Sequence, residues 1–127
     1  MIASYEISEA LFSLLEEEGY TVYNEDLPEE DAPCPHIRIE SIDSSDTLYK
    51  SGLTGDCSIM VHVWHNRIDQ KKELFALMNN VKAKASMIKA TETYKVVLRS
   101  VDENFLYDTT TSTPYLHGVV ILSYLFS

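Results

Sequence analysis

At 127 residues with 45% hydrophobic content, the chain has the length of one domain with one core and enough apolar material to fold without a disulfide framework or structural metal. Twenty Asp and Glu against ten Lys and Arg give a formal charge of -10, which disfavours nucleic acid and anionic membrane as partners. Cys34 and Cys57 alone are too few for a disulfide-rich secreted scaffold, no secretory leader pattern opens the sequence, and a reducing cytosol is the expected compartment before any assembly.

The charge is unevenly placed. Residues 1–63 carry 14 acids and 2 bases, whereas residues 64–127 carry 6 acids and 8 bases.

Ile7, Ala10, Leu11, Leu14 and Leu15 recur at helical spacing and predict a first helix over residues 3–18. Ser4 is a candidate N-cap, and Gly19 can take the positive φ that ends a helix. A short β-prone stretch follows, then three prolines and five acids between Asn24 and Pro35 predict a loop. Alternation of Ile37 and Ile39 with His36, Arg38 and Glu40 predicts a strand ending near Ile42.

Residues 43–56 read as a protruding hairpin or flexible loop. "CSIMVHVWHN" then alternates as a largely buried central strand. Asn66 or Asp69 is a candidate cap for a second helix over 70–86, carrying Leu74, Leu77, Met78, Val81 and Ala85 on its apolar stripe. Strand candidates at 93–101, 104–110 and 115–126 complete an α+β reading, two main helices packed on a mixed, mainly antiparallel sheet. The most apolar stretch, residues 115–126, is too short to span a bilayer as a helix.

No constellation carries chemistry on spacing alone. The candidate metal ligands Cys34, His36, Cys57, His62, His65 and His117 match neither paired CxxC elements nor HExxH. His62 and His65 sit three apart in a predicted strand and so face opposite ways. There is no GxSxG elbow, and the acids fall in runs that suit a solvated surface. "SGLTGD" lacks the order of a phosphate loop. Trp64 reads as a core or edge aromatic covering the following helix. No catalytic, cofactor-binding or metal residue is expected.

The order of these signals resembles the siphovirus-type bacteriophage tail-completion and tail-terminator (head-tail joining) proteins. "APCPHIRIES" is similar to the family's proline and strand after its first loop, and "CSIMVHVW" to a strand ending in a Val-Trp pair. "DQKKELFALMNNVKAKA" matches the second helix and "TPYLHGVVILSYLF" the terminal strand, so the resemblance covers nearly the whole chain. His36, His65 and Asn66 depart from the usual residues at their places.

The resemblance implies a structural, non-enzymatic subunit that needs no cofactor. Copies of the chain would form a ring, commonly hexameric, at the head-proximal end of a noncontractile tail tube. Its further partners would be the tail-tube protein and the head-completion or connector protein. From the charge pattern, Glu29, Glu30 and Asp31 are expected to face Lys71, Lys72, Lys82 and Lys84 of a neighbour, steering association rather than supplying affinity. Leu48, Tyr49 and Leu53 are expected as a second contact, because a polar loop otherwise exposes costly apolar groups. The alternative is a cytosolic protein-binding adaptor with an acidic interaction face.

Overall fold

The computed structural model describes residues 2–28, 32–49, 52–109 and 114–127. Its elements run α1 (Ile2–Glu17), β1 (Thr21–Asn24), β2 (His36–Tyr49), β3 (Gly52–His65), α2 (Lys71–Met87), β4 (Val96–Asp108) and β5 (Tyr115–Phe126). The strands form one five-stranded sheet in the order β1-β2-β3-β5-β4. Only β1 and β2 are parallel; the remaining pairs are antiparallel. The expected α+β class stands, with more strand than the sequence pattern suggested.

Both helices pack on the same side of the sheet. Ala3, Ile7, Leu11 and Leu15 of α1 and Leu74, Leu77, Met78, Val81 and Ala85 of α2 are buried there. They meet Ile37 and Ile39 of β2, Cys57, Ile59, Val61 and Val63 of β3, and Leu116, Val120, Leu122, Tyr124 and Phe126 of β5. The period-two alternation of these strands puts all of those residues on one face, and their burial is the main stabilising term. Tyr124 is fully buried, and its hydroxyl donates to the Ala85 carbonyl at 2.9 Å, fixing the last turn of α2 to the sheet.

The helix ends differ from expectation. Ser4 lies inside α1 and is buried, so it is not the cap. Gly19 does end the helix, with φ 91° and its N–H donating to the Glu16 carbonyl at 2.9 Å. Gln70 occupies the N-cap of α2 without a side-chain capping bond, and Asp69 instead lies 3.3 Å from Arg67. The acidic end of α1 is relieved by Lys84, whose Nζ lies 2.6 Å from Glu18.

Two strand boundaries are also corrected. β2 does not stop near Ile42 but continues to Tyr49, paired with β3 past an irregularity between Ser41 and Asp43. Of the two readings of residues 43–56, the hairpin is the one formed: backbone pairing with β3 holds these serines and aspartates extended although their side chains disfavour strand. Likewise the two strands expected at 93–101 and 104–110 are replaced by one continuous strand, β4 (Val96–Asp108), with an irregularity between Leu98 and Ser100. Asp102 and Glu103 do not break it because β4 is an edge strand whose polar side chains reach water. Among the described residues no helix is long and apolar enough to cross a membrane.

Candidate functional site

With both helices on one side, the other face of the sheet is left open. Its central row crosses β2, β3 and β5 through the register partners His36↔Trp64 and Trp64↔His117. The adjacent row carries Arg38 and His62. Three of the four histidines therefore surround the single tryptophan. Ring centroids lie 4.5 Å from Trp64 to His117, 5.2 Å to His62 and 5.3 Å to His36, the first two stacked within 13°. Trp64 thus faces away from α2 and does not cover it, since its parity is opposite to that of Val61 and Val63.

The hydrogen bonds order these rings. His62 Nδ1 and His117 Nε2 are 3.0 Å apart, and His62 Nε2 lies 3.4 Å from the Glu40 carboxylate. Glu40 also takes the Arg38 guanidinium at 2.6 Å. A proton on His62 Nε2, facing the carboxylate, leaves Nδ1 to accept from His117. Burial pushes His117 down to about 4, with His62 beside it adding to the fall. Burial also lowers His62, against the opposing pull of Glu40, and lowers His36. The cluster is accordingly neutral at pH 7.

Beside it, Cys34 Sγ lies 3.5 Å from His36 Nδ1, and that nitrogen lies 3.0 Å from the Pro33 carbonyl. A proton donated to that carbonyl occupies Nδ1, so the ring cannot take one from the thiol there. Burial raises the Cys34 thiol and lowers His36, the reverse of what a thiolate-imidazolium pair needs. Cys57, buried on the helix side near Asp43 and Asp56, is pushed up to about 11. His65 is separate, on the helix side, with Nε2 3.3 Å from Glu73 of α2. Among the described residues no three His, Cys, Asp or Glu side chains converge as a metal-ligand set.

The residues expected to form a subunit contact are distributed as follows. Glu29, Glu30 and Asp31 lie outside the described residues. Leu48 and Tyr49 end β2, Leu53 follows Gly52 at the start of β3, and Leu48 and Leu53 are register partners; their side chains are outside the described set. Lys71 sits over the rings of Phe105 and Tyr107, 5.2 and 5.5 Å from their centroids. Lys82 reaches Glu103 at 2.5 Å and Lys84 reaches Glu18, whereas Lys72 is exposed. Three of the four lysines are therefore engaged within the chain and point to different neighbours.

Residue spacing alone does not reveal the tryptophan-histidine cluster. Strand parity carried part of it, since His62 and Trp64 share a face, but the neighbours His36 and His117 depend on which strands pair and in what register.

No protein-family model and no curated protein sequence matches the chain. Solved structures do share its fold. One, a protein identified by number alone, aligns with a TM-score of 0.67 at 10% identity, over 97% of this chain and 92% of that one. Another is a chain from the virion of a native gene transfer agent particle, with a TM-score of 0.62 at 12% identity over 94% of both chains. At these identities the shared property is the fold: two helices on one side of a five-stranded mixed sheet, matched nearly end to end.

Proposed function

We propose that this chain is a structural subunit of a tailed, phage-like particle. It acts as a tail terminator, closing with copies of itself into a ring, six in number, at the head-proximal end of the tail tube. There it ends tube growth and provides the seat for the head, with the tail-tube protein on one side and the head-completion or connector protein on the other. The role is architectural and needs neither catalytic residues nor a cofactor.

The observation that carries this reading is the end-to-end fold likeness to a chain of a gene transfer agent virion. Two features of the chain agree with it. A ring needs two different, mutually complementary surfaces on each subunit, and an open sheet with unlike edges supplies them. The groups on the open face are also only partly covered, Met60, Val119 and Ile121 among them, as suits a surface finished by assembly.

The test is mass measurement by light scattering across protein concentration, with electron micrographs of the same samples, alone and with the tail-tube protein. Closed rings of one size, and tubes whose growth stops on their addition, are the expected result. A monomer under every condition, with tube growth unaffected, would overturn the proposal.

A further inference from the structure

The two free edges of the sheet are unlike in charge at the same level along the strands. On one side β1 covers β2 only from His36 to Ile39. Glu25 then caps the Ser41 N–H with its carboxylate at 2.9 Å. From Ile42 onward no described strand lies beside β2 on that side. This free stretch carries Asp43 and Asp46, both exposed. On the opposite side β4 is the last strand; Lys89 and Ala90 flank the outer side of its start, bridging Lys95 and accepting from the Val96 N–H, and from Val97 onward no described strand lies beside it.

The described cations sort into two groups. Arg38, Arg67, Lys82 and Lys84 are in ion pairs within the chain, and Lys71 covers two aromatic rings. Lys72, Lys89, Lys95 and Arg99 are exposed and form no ion pair within the chain among the described residues; Lys72 stands apart at the start of α2. The other three cluster at one corner. Lys95 precedes β4, Arg99 sits at its irregularity, and the Lys89 carbonyl accepts from the Val96 N–H at 2.9 Å.

Registers place the two groups level with each other. Asp43, Ser58, Ser123 and Ser100 form one row across the sheet, next to Arg99. Asp46, Gly55, Phe126 and Val96 form another, next to Lys95. Lower down, Glu40 and Asp102 share a row with like sign, but Arg38 neutralises Glu40.

We propose that the outer edge of β4 from Val97 onward docks against the free edge of β2 that starts at Ile42 in a second copy of this chain, with the exposed Lys95 and Arg99 set toward Asp43 and Asp46. This rests on the ring reading above. Two facts favour a second copy over another occupant. Both halves of the contact are present on every chain, and they lie on opposite edges, so each subunit can be held on both sides. Ring closure is rotation without rise, so edge residues at one level meet when the strands run along the ring axis. Given the strand directions, β4 would run antiparallel to the neighbouring β2, extending the sheet across the junction from Val97 onward, while at the level of Val96, where Lys89 and Ala90 already flank β4, the contact is made by side chains. Lys89 adds to the field at the same corner.

Charge reversal tests this pairing. The double variant Asp43→Lys, Asp46→Lys has two cationic edges, and Lys95→Glu, Arg99→Glu has two anionic edges. Each alone should need about tenfold or more protein for half-assembly in low salt, because like charges then face each other. Mixed in equal amounts they should assemble with alternating subunits, as should the chain carrying all four changes, within about threefold of the unaltered protein. Thermal melting of each variant monitors folding, and only variants melting near the parent are compared. If the unaltered chain forms rings and both doubles assemble equally well, the edge assignment is wrong while the ring reading survives. If the doubles fail and neither the mixture nor the fourfold variant recovers, the pairing is also wrong. A parent chain that never assembles, with or without the tail-tube protein, removes both.

Discussion

Trp64 is held among three imidazoles that are all easier to keep neutral than free histidine, because the open face still removes them from much of the solvent. Their folded values lie below the ordinary 6.5, so the unfolded chain binds more protons as acid is added. Stability is therefore full above about pH 6.5 and lost as the pH falls toward 4, where His117 titrates. Allowing for partial exposure, His117 accounts for about 2 kcal/mol of that loss. Melting temperatures measured from pH 7 to 4 should fall, and His117→Gln should flatten the curve; an unchanged slope would contradict the assignment. Because a protonated imidazole quenches indole emission, the single tryptophan should dim over the same range in the parent chain.

Gly55 presents a different residue-scale constraint. A Cβ there would lie 2.1 Å from the Ser45 carbonyl oxygen and 2.7 Å from the Phe126 ring. Backbone on one side and a core aromatic on the other leave little to yield, so Gly55→Ala should cost about 2–3 kcal/mol in denaturant unfolding. A loss below about half a kcal/mol would mean that the hairpin accommodates the methyl by sliding.

At the scale of elements, α2 has one buried polar tie to β5 and partly exposed ion pairs to β4 and to the end of α1, and these differ in weight. Tyr124→Phe removes the bond to the Ala85 carbonyl and should cost about 1 kcal/mol, measured by urea unfolding. Lys84→Met, which removes only the partly exposed pair with Glu18, should cost about half a kcal/mol or less. The reverse ranking would show that α2 is held by charge more than by packing. The β2–β3 hairpin behaves as a separate projection. Asp46 and Gly55 are register partners, so joining them directly removes residues 47–54 and keeps every buried position described in the two strands. The shortened chain should melt within a few degrees of the parent and assemble poorly; loss of folding would show that the hairpin belongs to the core.

Across the whole molecule, the -10 net charge matters less than where folding leaves it unpaired. The contrast between an acidic first half and a mildly basic second half is visible in the sequence, but the α2 lysines that this contrast points to are mostly committed within the chain. Apart from Lys72, the cations without an ion pair among the described residues lie further on, around the start of β4. Assembly followed by light scattering should slow as salt rises from 50 to 500 mM, because exposed charges steer encounter more than they hold it. Rates insensitive to salt would leave the apolar groups of the open face as the source of orientation.

Much of the architecture was legible locally. The stripe of Leu74, Leu77, Met78, Val81 and Ala85 and the alternation through Cys57, Ile59, Val61 and Val63 specify a helix and a strand, because burial acts at the period of each backbone. The extension of β2 to Tyr49 and the union of two segments into β4 were not legible, since Ser, Asp and Glu become strand only when a paired neighbour satisfies their backbone. The sequence by itself determined the α+β class, the buried face of each element and the sign of each half. Strand order and register, which are properties of pairs distant along the chain, decided the rest. They gather His36, His62 and His117 around Trp64, and they set Asp43 and Asp46 level with Arg99 and Lys95 on opposite edges of one sheet.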